Sequence, residues 1–186
     1  AMNLGVLIGA ELILLPKFHT SEVLRAIATE RPTIFPGIQA MYLAIGNYRK
    51  IGKYDLTSIK AAISGAGPLM HEVQERFEHL TRARIVEGYG LSEASPVTHA
   101  NPIFGRRKPG TIGLPWPDID ARIVDIETGE KEMPVGEAGE LVVRGPQIMQ
   151  GYWNRPQETA QALRNGWLHT GDIATMDEEG YFTIVD

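Results

Sequence analysis

The sequence predicts an α/β chain: a parallel β-α subdomain followed by a smaller, antiparallel, β-barrel-like subdomain. Two observations predict it. From residue 1 to about 98, short apolar runs alternate with stretches whose apolar residues recur at helical spacing. From about 99 onward that spacing fades, and alternating polar and apolar runs are divided by turn residues. Strands separated by helices pair in parallel through right-handed crossovers, whereas strands joined by tight turns pair antiparallel. The expected domains are therefore 1–98 and 99–186.

In the first part, residues 11–15 (ELILL) read as a buried strand closed by Pro16. Thr20 and Ser21 offer N-cap hydroxyls to a helix carrying Val23, Leu24 and Ile27 and ending before Pro32. Residues 33–35 form a second strand, stopped by Pro36-Gly37. Residues 38–45 read as a helix with Met41, Leu43 and Ile45 available for packing. The clearest unit is strand 60–64 (KAAIS), the tight turn Gly65-Ala66-Gly67-Pro68, and then Leu69, Val73, Phe77 and Leu80 at helical spacing. Residues 84–87 are the next strand and lead into Gly88-Tyr89-Gly90. In the second part, 120–126 and 139–144 read as strands, with a turn at Thr128-Gly129. Residues 172–176 and 181–185 flank Asp177-Glu178-Glu179-Gly180, a hairpin signal. A short helix starts at Pro156 and carries Ala160 and Leu163. The sequence starts inside an apolar segment and stops straight after a strand. A piece of a larger protein is expected, with an apolar edge near residues 1–15.

Composition narrows the function classes. Of 186 residues, 43% are apolar and 22% charged, which excludes a disordered or fibrous chain. Eighteen Lys and Arg against 23 Asp and Glu give a net charge of −5, which argues against a nucleic-acid platform. The absence of cysteine excludes disulfides, thiolate metal sites and cysteine nucleophiles. The five histidines lack zinc-protease spacing. No apolar run reaches the about 20 residues a membrane span needs, and the run Leu4 to Pro16 lacks the basic start and small-residue cleavage site of a signal peptide. The expected location is cytoplasmic, with peripheral attachment to a membrane left open.

Three segments carry chemistry. In Glu87-Gly88-Tyr89-Gly90-Leu91-Ser92-Glu93, the glycines allow close backbone approach to a ligand and Tyr89 offers a flat face for a base. Ser92 offers a hydroxyl to a phosphate, and Glu93 a hard oxygen for Mg²⁺. The same residues fit a strand-to-helix turn with a capping Ser and a surface Glu. In Gly166-Trp167-Leu168-His169-Thr170-Gly171-Asp172, the terminal Asp can accept from both ribose hydroxyls, or be an ordinary turn residue. In 64–68, backbone groups at a strand end can meet an adenine; there is no P-loop ending.

Taken together, SGAGPL, EGYGLSEASP, GELVVRGPQIMQGYWNRPQET and GWLHTGD, in this order, resemble the AMP-forming adenylating enzymes: acyl-CoA synthetases, firefly luciferase and peptide-synthetase adenylation domains. The resemblance covers essentially the whole chain. Leu91-Ser92-Glu93 is similar to the acyl-CoA synthetase and luciferase branch, with medium- or long-chain fatty-acyl-CoA synthetases the best match. It implies ATP/AMP and Mg²⁺ as cofactors, coenzyme A as co-substrate and a fatty or other carboxylic acid as substrate. It implies that Tyr89 stacks on adenine, that Gly65, Ala66 and Gly67 line the base, and that Glu87, Gly88, Gly90 and Leu91 line the nucleotide pocket. Ser92, where the family usually has Thr, touches the α-phosphate; Glu93 holds Mg²⁺; Asp172 binds the ribose. Ser92 and Glu93 are the catalytic candidates. Lys17 sits where some related ligases contact coenzyme A. Phe35, Pro36, Gly37, Ile38, Met41 and Tyr42 are expected along one wall of the acyl pocket, beside Gly65 and Gly90. The family's phosphate loop, hinge and catalytic Lys have no counterpart in these residues, so the chain alone is expected to be inactive, its partners being the rest of the parent protein. Two other readings stay open: a piece of an aryl- or amino-acid-activating enzyme, and a non-catalytic nucleotide-binding module.

Overall fold

The computed structural model describes residues 2–185. The chain is mixed α/β and divides into two compact units, Ala1–Val86 and Glu87–Asp186.

The first unit contains α1 (Met2–Leu7), α2 (Thr20–Glu30), β1 (Ile34–Ile38), α3 (Gln39–Gly46), β2 (Ala61–Gly65) and α4 (His71–Thr81). Strands β1 and β2 pair in parallel, Ile34 opposite Ala61 through Ile38 opposite Gly65. The helices form for the reason their stripes suggest. Val23, Leu24 and Ile27 of α2, Tyr42 and Ile45 of α3, and Val73 and Phe77 of α4 are buried in one cluster. Phe35, Tyr42 and Phe77 centre it, with ring centroids 4.8–6.1 Å apart. Helices α2 and α4 both stop on a left-handed residue, Arg31 and Arg82. The N-terminus of α2 departs from expectation: His19 is the capping position, and no side chain caps it.

Residues 11–15 are not a strand. They have no regular secondary structure and join no ladder, and Leu14 is 74% exposed. An apolar run becomes a strand only where a neighbour accepts its backbone hydrogen bonds, and among the described residues no strand pairs with it. The preceding stretch forms α1, a helix the apolar pattern alone did not announce.

Strand β3 (Arg84–Gly90) runs three residues past its expected end and carries the chain into the second unit. There it pairs antiparallel with β4 (Val97–Ala100), which pairs with β5 (Leu114–Pro115). A second antiparallel sheet is built from β6 (Asp120–Val124), β7 (Gly139–Arg144), β9 (Trp167–Met176) and β10 (Phe182–Ile184), in the order β10-β9-β7-β6. Helix α5 (Pro156–Ala162) ends before Leu163, which belongs instead to β8 (Leu163–Arg164), a short strand on β9. Alternate residues of the sheet face one core: Ile123, Leu141, Val143, Leu168, Ala174 and Phe182. Among the described residues no helix is long and apolar enough to cross a membrane.

Candidate nucleotide site

The EGYGLSE motif lies on β3 and the 3-10 turn that follows. Tyr89 sits opposite His99, and the register slips between Tyr89 and Gly90. Gly90 is required there: a Cβ would stand 2.0 Å from the Pro96 carbonyl oxygen. That approach lets the Leu91 N–H donate to Pro96 at 2.9 Å, turning the chain so that Ser92 is exposed and Glu93 half-buried.

Glu93 is held from two directions. Its carbonyl accepts from the Met149 N–H at 2.7 Å, and its Oε1 accepts from the Tyr152 hydroxyl at 2.7 Å. That bond raises the Tyr152 pKa above its ordinary value. Tyr152 is itself set by α5, since its N–H donates to Thr159 Oγ1 at 2.9 Å. Oε2 of Glu93 has no hydrogen-bond partner among the described residues. A single carboxylate with one free oxygen fits Mg²⁺, which takes one or two carboxylates plus substrate phosphates. No cluster of three or more acidic or His side chains able to hold a metal exists among the described residues.

Asp172 owes its position to a bulge. Strand β9 pairs Ile173 with Glu140 and His169 with Val142, so Thr170-Gly171-Asp172 opposes Leu141 alone. The extra residues break the ladder and re-aim the side chain. Thr170 Oγ1 donates to the Leu141 carbonyl at 2.7 Å and accepts from the Asp172 N–H at 3.1 Å. The bulge brings Asp172 to Tyr89, whose hydroxyl donates to Asp172 Oδ2. Burial, then this bond, raises the Tyr89 pKa. Behind Tyr89, His99 is fully buried with Nε2 unpartnered, and burial lowers its pKa to about 3.

The first unit holds the other expected residues. Gly65-Ala66-Gly67 forms the turn after β2, with Ala66 and Gly67 at φ 60° and 147°. Ser64 is buried. Gly37 lies against the Tyr42 ring, 3.1 Å from where its Cβ would be. Tyr42 is 1% exposed and its hydroxyl sits between the Phe35 and Ile63 carbonyls, at 3.0 and 2.8 Å; burial raises its pKa. Ile38 is exposed. A cavity of about 390 Å³ is bordered by Phe35, Pro36, Met41, Lys17 and the 11–15 segment.

Tyr152 and Thr170 were not singled out in the sequence. Both lie inside quoted motifs, but nothing local marks which residue of a motif reaches another.

A four-motif chain whose Tyr89 and Asp172 meet can be compared with known proteins. The profile of the AMP-binding enzymes matches residues 1–153. The chain belongs to the AMP-binding enzyme family. Within it, a long-chain-fatty-acid–CoA ligase of Bacillus subtilis is 54% identical over 185 residues, all of this chain and 33% of that protein. A feruloyl-CoA synthase of Amycolatopsis is 39% identical over 96% of the chain and 36% of its own length. ATP-bound MatB from Rhodopseudomonas palustris superposes with a TM-score of 0.87 at 31% identity, covering 98% of this chain and 36% of that one. The chain thus spans about a third of the length of the relatives it matches. The first two are named as a CoA ligase and a CoA synthase, and the third holds ATP.

Proposed function

We propose that this chain supplies the nucleotide-holding part of an AMP-forming fatty-acyl-CoA synthetase. The observation that carries the reading is the hydrogen bond between Tyr89 and Asp172, 83 residues apart, which puts a flat ring and a carboxylate side by side. A nucleoside needs such a pair: a face for the base and an acceptor for the ribose hydroxyls. The mostly apolar lining of the 390 Å³ cavity supports an acyl chain as the second substrate, with Phe35, Pro36 and Met41 on its border and Gly37, Ile38 and Tyr42 adjoining them along the chain.

In this reading the substrate carboxylate attacks the α-phosphorus of ATP, the α–β bridging bond breaks and pyrophosphate leaves. The coenzyme A thiol then displaces AMP from the acyl-adenylate, Lys17 lying along its approach. The residues position and stabilise charge rather than form covalent bonds. Ser92 donates to the α-phosphate. Glu93, oriented by Tyr152, holds Mg²⁺, which when bound offsets charge on the phosphates. Gly65, Ala66, Gly67, Glu87, Gly88, Gly90 and Leu91 line the nucleotide.

The test is fatty-acid-dependent ATP–pyrophosphate exchange by the full-length enzyme that carries this chain. Asp172→Ala raises the KM for ATP, about 1 to 3 kcal/mol of lost hydrogen bonding, with kcat little changed. Glu93→Ala lowers kcat. The opposite assignment, or exchange indifferent to fatty acid, overturns the reading.

A further inference from the structure

The face of the second unit's sheet opposite its core carries a separate cluster. Arg122 and Arg144 alternate with the core residues Ile123 and Val143, and so point the other way. Both guanidinium groups lie over the Trp167 ring, 4.2 and 4.7 Å from its centroid. Arg144 is paired with Asp120 at 2.6 Å. Arg164 is paired with Glu140 at 3.3 Å, and Glu140 also holds His169 at 2.7 Å. The Arg122 side chain has no hydrogen bond and no carboxylate partner among the described residues. Its Nε is buried without an acceptor, and so is that of Arg164.

Of these groups, Arg122, Arg164, Trp167 and His169 border a cavity of about 290 Å³. Its lip is the 128–130 turn, which closes on the cluster only because residue 129 is glycine: at φ +70° a Cβ would lie 2.9 Å from His169 and 3.1 Å from Arg164. Glu130 borders the cavity yet pairs with neither arginine. A cation with no anion, on the wall of a cavity, is the arrangement an external anion completes.

We infer that this cavity binds a compact phosphoryl group, free or on a small monoester. Two arguments favour it. A buried N–H without an acceptor is costly, and a guanidinium recovers most from a charge-assisted, forked bond to an oxyanion. The polar groups on the cavity also come from three places, β6 (Arg122), β8 and the turn after it (Arg164 and Asn165), and β9 (His169). Convergence from several directions suits a tetrahedral oxyanion better than a planar carboxylate. The inference is independent of the adenylating reading, which assigns no role to Arg122, Arg164, Trp167 or His169.

The 186-residue chain itself is titrated with inorganic phosphate and, separately, methyl phosphate, at constant ionic strength made up with chloride. The indole N–H signal of Trp167 is followed by NMR. A saturable shift is expected in at least one arm: phosphate alone marks a site for the free anion, both arms a site that also takes monoesters. Arg122→Gln weakens binding about tenfold or more, whereas Arg155→Gln, which removes an exposed arginine paired with Glu158, leaves it unchanged. No saturable shift in either arm, or equal binding by Arg122→Gln, overturns the site. Should Arg122→Gln fail to fold, Arg122→Lys keeps the charge and loses the fork. Binding weakened several-fold then supports the site, and unchanged binding overturns it.

Discussion

The two units are held by different means. The first is held by apolar packing of neighbours in sequence: α2, α3 and α4 close around Phe77, and the long-range side-chain bonds there span only 21 to 31 residues. The second is tied by side chains that reach much further along the chain. Tyr152 bonds Glu93 across 59 residues, Tyr181 bonds the Arg106 carbonyl across 75, and Tyr89 bonds Asp172 across 83. The difference teaches where function sits. The packed unit holds the candidate turn Gly65-Ala66-Gly67 and the candidate acyl residues, whereas the tied unit holds the nucleotide candidates Tyr89, Ser92, Glu93 and Asp172.

Deleting a core ring in each unit tests the contrast most severely. Phe77→Ala and Phe182→Ala each remove a fully buried side chain, which costs about 3–5 kcal/mol. All three tryptophans, Trp116, Trp153 and Trp167, lie in the second unit. Tryptophan fluorescence during urea unfolding therefore reads that unit, and amide exchange reads the first. A loss of only tenths of a kcal/mol for Phe77→Ala would show that packing does not hold the first unit.

A smaller effect separates the units by pH. Burial lowers the His99 pKa from 6.5 to about 3, so the folded state keeps it neutral where the unfolded state is protonated. The stability this contributes is complete above pH 6.5 and declines as pH falls toward 3. The slope reaches about 1.4 kcal/mol per pH unit for one proton. His99→Gln flattens that slope in the second unit's fluorescence-detected stability between pH 6.5 and 5.5, above the range where ordinary carboxylates titrate. An unchanged slope would place the acid sensitivity elsewhere.

Smaller again is the tie between Tyr89 and Asp172. Tyr89→Phe keeps the ring and removes the donor, at about 1 kcal/mol, because Asp172 is only half-buried and water replaces the hydroxyl. The shift should appear in the fluorescence midpoint and spare the amide exchange of α2 and α4. Equal losses in both would mean that the tie is not local to the second unit.

What the sequence made legible follows the same division. Phe77 and Val73 announce α4 because helical spacing is a local property, and β7 has its expected bounds because GELVVR lies between turn residues. The Thr170-Gly171-Asp172 bulge was not legible, since a bulge is a mismatch between two strands. The Tyr152–Glu93 bond was not legible either, although both residues stand in motifs, because motifs record neighbours and not meetings. The 11–15 run failed for a third reason: its composition suits a strand, but a strand is made by its partner.

That run gives the smallest expected effect and a direct discrimination. In a buried strand, Leu14→Lys would strand a charge in the core and cost several kcal/mol. At 74% exposure the same change touches almost nothing, and surface substitutions of this kind stay within about 0.5 kcal/mol. Leu14 nonetheless belongs to an apolar stretch with Leu7 at 81%, Ile8 at 64% and Val6 at 69% exposed, and contiguous exposed apolar surface drives association. Leu14→Lys should therefore leave the amide exchange of α2 and α4 where it was while raising the concentration at which the chain self-associates, read by sedimentation velocity. A large loss of stability would restore the strand reading of residues 11–15. Unchanged association would show that the first unit's apolar surface is not what brings copies of the chain together.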